Sequence, residues 1–139
     1  MNRRFSIPIL FSFIILGFGC NQGKQHRPKH PKLLGAQSVY VGEPMDPEAA
    51  KYVQLANSDN VKIEKREHYM IVTAWYIANA CGKSIPDLNF KNDTINLTYN
   101  ETSEELCMSV SIEEITYFVD NRDDKNWKII KTNSYPFSW

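Results

Sequence analysis

The chain has 139 residues, 16 of them Lys or Arg and 16 Asp or Glu, so its formal net charge is zero. That length is one domain's worth, and a protein that binds nucleic acid by neutralising phosphates would show a basic excess. A hydrophobic fraction of 42%, with 12% aromatic residues, is enough for a core and excludes global disorder. The three cysteines, Cys20, Cys81 and Cys107, are an odd number, so one of them needs a role outside a disulfide.

Arg3 and Arg4 precede a run over residues 7–18 that is apolar apart from Ser12. The run is shorter than the roughly 20 residues a membrane-spanning helix needs and suits the apolar region of a secretory signal peptide. Leu16-Gly17-Phe18-Gly19-Cys20 then resembles a bacterial lipobox of the relaxed kind familiar in Bacteroidetes and spirochaetes, with Phe18 where the common pattern has a small residue. The resemblance implies cleavage before Cys20 and lipid on its thiol and amine. It further implies a partner in the membrane through that anchor and a place in the cell envelope as an outer-membrane lipoprotein. Two or three acyl chains anchor stably, because each buried methylene contributes about 0.8 kcal/mol.

Residues 21–32 hold Lys24, Arg27, Lys29 and Lys32, with Pro28, Pro31, His26, His30 and no acid. Such a segment buries too little apolar surface to order itself and reads as a flexible basic tether. Contact with anionic headgroups is the functional alternative. His26 and His30 stand at a metal-ligand spacing for a helix, which the prolines oppose. The expected organisation is a signal peptide over 1–19, lipidated Cys20 and tether over 20–36, and a single β-sandwich domain over 37–139. That domain carries ten basic and sixteen acidic residues, net −6. A neutral total thus conceals a basic leash on an acidic body, which argues further against nucleic acid.

Within the body, residues 46–56 predict a short helix with Asp46 as N-cap, Pro47 at the first helical position and Glu48 in the first turn. The competing reading makes residues 52–56 a first strand. Residues 61–65 alternate as a strand does. Residues 69–79, rich in β-branched and aromatic side chains, predict a buried strand. Gly82, Pro86 and Asp87 predict a turn region. Residues 94–99 alternate, with Ile95, Leu97 and Tyr99 on one face. Residues 106–111 and 115–119 form either two strands or one long bulged strand. Residues 120–126 form a polar turn and 127–132 a last strand. Short strands at this spacing suggest an antiparallel sandwich or barrel.

In an exported protein the remaining Cys81 and Cys107 are expected to pair, and no nearby ligands complete a two-cysteine metal site. The run Asn79-Ala80-Cys81-Gly82, Asp93-Thr94-Ile95-Asn96-Leu97, Glu105-Leu106-Cys107, Ile115-Thr116-Tyr117-Phe118-Val119 and Trp127-Lys128-Ile129 resembles small Bacteroidetes lipoproteins with immunoglobulin-like β-sandwich bodies. The resemblance covers roughly residues 69–132. It implies a mainly β, antiparallel fold of that kind, and it carries over no catalytic residue.

Chemistry-bearing patterns are sparse. His68 is the one histidine of the body, and no G-x-S-x-G, HExxH or phosphate-binding glycine loop is present. Glu104-Glu105 and Glu113-Glu114 are neighbours that a strand would send to opposite faces. Residues 120–126 fail the EF-hand template, with Arg122 at its third position and Lys125 at its sixth. No catalytic residue, cofactor or metal is assigned.

Three sequons begin at Asn92, Asn96 and Asn100, and Asp93-Thr94-Ile95 resembles the Bacteroidetes O-glycosylation motif, making Thr94 a candidate acceptor. The alternating aromatics Tyr135, Phe137 and Trp139 are a candidate surface for an envelope protein or a glycan. They are also similar to the terminal signal of outer-membrane barrels, although the body lacks lipid-facing alternation. The expected role is therefore non-enzymatic binding or structural support at the envelope. The alternatives are inhibition of an extracellular enzyme, or hydrolysis by carboxylates converging from different strands.

Overall fold

The computed structural model describes residues 30–103 and 107–133. The expected signal peptide, Cys20, the tether up to residue 29, Glu104, Glu105, and Tyr135, Phe137 and Trp139 lie outside the described residues.

The centre of the fold is the pair of longest strands, β3 (Tyr69–Asn79) and β6 (Val110–Asp120), which run antiparallel in one unbroken register. Both alternate, so Met70, Val72, Ala74 and Tyr76 of β3 and Ile115, Tyr117 and Val119 of β6 are buried on one face. β1 (Leu33–Gly42) pairs with the far side of β6, and β2 (Lys62–Lys65) with the far side of β3, giving a four-stranded sheet in the order β1-β6-β3-β2. A second sheet, β4-β5-β7, is built from β4 (Ser84–Lys91), β5 (Thr94–Glu101) and β7 (Lys128–Asn133). Leu88, Ile95, Leu97 and Tyr99 of this sheet close the core against the first. The molecule is a mainly β sandwich.

One short helix, α1 (Ala50–Asn57), follows a 3-10 turn at Pro47–Ala49. As the residues predict, Asp46 accepts a hydrogen bond from the Glu48 N–H at 3.0 Å and Pro47 occupies the first position. α1 packs on the outer face of the larger sheet, where Ala49 and Ala56 meet Ile77 and Ile112.

The strands expected over 61–65, 69–79, 94–99 and 127–132 are present, and β6 is one long strand rather than two. Four features depart from expectation. Pro86 and Asp87 lie inside β4, not in a turn; β4 is an edge strand, where a missing N–H is tolerated. The bulges lie in β1, flanking Gly35 and Tyr40, not in β6. β1 itself begins at Leu33, four residues before the expected domain start at 37. Finally, β7 runs parallel to β5, the other pairs being antiparallel. After β6 the chain crosses to the other sheet instead of forming a hairpin, so β7 runs in the direction of β5. The resulting strand order differs from that of constant-type immunoglobulin domains.

Candidate binding site

The two ends of the sandwich differ in chemistry. At one end the chain enters. His30 stacks on Phe90, with centroids 4.8 Å apart, and Phe90 meets Trp127 edge-on at 4.8 Å. Lys32 and Lys125 stand over the Trp127 ring at 5.6 and 4.3 Å, and each also pairs with a carboxylate, Asp123 at 2.9 Å and Asp93 at 2.7 Å. The last residues read as tether are therefore docked on the body.

The same end holds the loop weighed for calcium. Several of its oxygens are engaged: Asp120 grips the Arg122 guanidinium at 2.6–3.0 Å, and Asn121 accepts from the Trp127 indole at 2.9 Å. The Arg122 hydrogen bonds hold the Asp120 carboxyl below the usual carboxylate range. His68 is exposed in the turn before β3 with Glu67 at 3.6 Å.

The opposite end carries the disulfide. Cys81, just after β3, is bonded to Cys107, just before β6. Buried Asn79 organises this loop. Its side-chain oxygen accepts from the Cys81 and Cys107 N–H groups at 3.0 and 3.2 Å, and its amide donates to the Cys107 carbonyl at 2.6 Å. A Cβ at Gly82 would meet the Glu101 carboxylate, the far end of a flexible side chain.

Held this way, residues 108–110 face the loop after β1 and the flank of α1. Between them lies a cavity of about 410 Å³ lined by Glu43, Pro44, Met45, Val53, Met108, Ser109 and Val110. Met45 is 91% exposed and Met108 fully exposed, an unusual state for large apolar side chains. Glu43 is the one ionisable group in the lining. The groove offers adaptable apolar contact, which thioether side chains supply well.

Nothing in the sequence pattern singled these residues out. Met45 and Met108 are far apart in the chain, and each reads alone as an ordinary exposed residue. The one clue was the cysteine beside Met108, since a disulfide there fixes the loop.

The remaining sequence candidates disperse. Glu113 and Glu114 do face opposite ways: Glu113 accepts from Ser38 at 2.8 Å and Ser111 at 3.1 Å, Glu114 from the Trp75 indole at 3.0 Å. Thr94 is half-buried at the base of the β4–β5 hairpin, whose exposed turn holds Asn92 at φ 54°. Thr94, Asn96, Thr98 and Asn100 line the outer face of the smaller sheet, where Thr132 donates to Asn96 at 2.6 Å and Asn100 to Thr98 at 3.1 Å. That face is mostly polar apart from exposed Ile130, and among the described residues it presents no aromatic ring on which a sugar could stack.

One buried cation was also unanticipated. Lys131 on β7 donates to the Leu55, Ala56 and Trp75 carbonyls at 3.2, 2.7 and 3.0 Å. It closes the helix C-terminus and the stretch of β3 left open where β2 ends. Burial pushes its pKa down to about 8, with Asp59 pulling the other way.

No protein-family model matches the chain, and no curated protein or solved structure matches it either.

Proposed function

We propose that the chain is a lipid-anchored cell-envelope protein whose role is non-enzymatic binding, and that the methionine-lined groove is where it binds. The observation that carries this reading is the groove's chemistry: two exposed methionines and three further apolar residues around a single carboxylate. Such a lining supplies contact area rather than acid–base chemistry.

Position supports it. Anchoring at Cys20 would tie the molecule at its Trp127 end, and β1 carries the chain from there to the groove end, about 30 Å away at the rise of a strand. The groove would face away from the membrane. The fitting occupant is an apolar segment of a partner protein flanked by basic residues, because Glu43 sits in the lining and the body carries net −6.

The test is site-specific photocrosslinking in native envelopes. A photoreactive residue at Met45 or Met108 should yield one adduct of defined mass, and the same residue at exposed Ile63 on β2 should not. Equal labelling at all three positions would remove the groove from consideration. Mass spectrometry of the mature N-terminus checks the anchor separately: acyl chains on Cys20 are expected, and an unmodified Cys20 would sink that part.

A further inference from the structure

Two loops meet at the groove, and hydrogen bonds fix each of them. Glu43–Asp46 is a turn closed by the Asp46 N–H, which donates to the Glu43 carbonyl at 3.0 Å, with Pro44 at its second position and Met45 at its third. Met108 stands between Cys107, bonded to Cys81 and held by Asn79, and Ser109, whose carbonyl accepts from the Ala80 N–H at 3.0 Å. The backbone thus holds both thioethers out in solvent. Met45 is 91% exposed and Met108 101%, against 1% for Met70 in the core. A thioether is oxidised where an oxidant can reach its sulfur, so exposure sets susceptibility.

We propose that Met45 and Met108 form a paired oxidation site through which hydrogen peroxide releases the groove's partner. The inference rests on the groove being the binding site. Each sulfur takes one oxygen of a peroxide molecule: an S–O bond forms, the O–O bond breaks, and the other oxygen leaves as water. The sulfur loses two electrons and the peroxide gains them. A dithiol reductant reverses the step, removing the oxygen as water and becoming a disulfide.

The lining makes the change count. A flexible apolar thioether becomes a polar, chiral sulfoxide. Its oxygen needs a donor once a partner has displaced water. Among the side chains of the lining, Pro44 offers none, an ionised Glu43 only accepts, and the Ser109 hydroxyl is one donor for two oxygens. The Glu43 charge also disfavours further negative oxygen beside it. The oxidised groove therefore rejects the apolar segment that the reduced groove holds.

The test uses the full chain in native envelopes exposed to dilute hydrogen peroxide. Peptide mass mapping should find one added oxygen on Met45 and on Met108, gained about tenfold faster than on Met70. A photoreactive residue at Val53, which lines the groove, should give a partner adduct before peroxide. The adduct should fall about tenfold afterwards and return on treatment with methionine sulfoxide reductase and dithiothreitol. With Met45→Leu and Met108→Leu together, which keep the lining apolar, the adduct should survive peroxide. Oxygen uptake at Met70 as fast as at Met45 and Met108 would overturn the oxidation site, and an adduct lost equally from the leucine variant would overturn the release. An adduct absent before peroxide would sink the binding reading and the release with it, while faster uptake at Met45 and Met108 would still uphold the oxidation site.

Discussion

At the scale of the residue, polar side chains hold the sandwich at its weak points. Asn79 takes up three backbone groups around the disulfide, and Lys131 takes up three carbonyls between α1, β3 and β7. In the core the Tyr117 hydroxyl donates to the Thr98 carbonyl at 2.9 Å and lies 3.2 Å from the Tyr76 hydroxyl, so the phenol pair is satisfied internally. Burial raises the pKa of Tyr76, Tyr99 and Tyr117 and lowers that of Lys131 to about 8 from an ordinary 10.5.

These shifts have opposite signs in stability. Between pH 8 and 10.5 the unfolded chain keeps a proton on Lys131 that the folded chain has released, so folding is favoured more as pH rises. Above pH 10 the unfolded tyrosines ionise while the folded ones stay neutral, so stability is lost. Urea midpoints should therefore rise from pH 8 to 10 and fall beyond. Lys131→Met should abolish the rise and keep the fall; a flat wild-type profile over that interval would refute the assignment.

At the scale of the element, local signals decided some segments and not others. The Asp46-Pro47-Glu48 start is chemistry within one turn, and the 3-10 turn that leads into α1 begins where it directs. Asp46→Ala removes the hydrogen bond to the Glu48 N–H and should cost about 1 kcal/mol in chemical denaturation, with the strand signal in circular dichroism unchanged. β5 was legible because one face is buried and the alternation is written in its residues, and β3 because β-branched and aromatic side chains fill it. β1 was not legible, because an edge strand with most of its side chains exposed carries no such alternation. β4 was hidden by Pro86 and Asp87, which mark turns unless an edge position accommodates them.

At the scale of the whole molecule, the disulfide and the groove form one unit. Cys107 precedes Met108, and the bond to Cys81 ties the loop that makes one wall of the cavity to the end of β3. The two cysteines are 26 residues apart, and closing a loop of that length stabilises by about 3–4 kcal/mol on the chain-entropy model. Replacing both cysteines with alanine should lower the unfolding free energy by that amount. Crosslinking through Met108 should fall as well; retention of full crosslinking would show that the groove does not depend on the bridge. The acidic body and basic N-terminal segment also meet in three dimensions, where Lys32 reaches Asp123 and the Trp127 ring.

The sequence alone determined the class of fold, the positions of most strands, the Asp46 cap of the turn before α1 and the cysteine pair. Each of these depends on residues close in the chain or on a count, and alternation, capping and cysteine number survive without knowledge of neighbours. Tertiary structure decided the rest: the parallel β5–β7 pair, the strand β1, the burial of Lys131 and the groove between Met45 and Met108. An exposed edge, a buried ammonium and a cavity wall are defined by what lies across space from them, and no local pattern records which distant segment that will be.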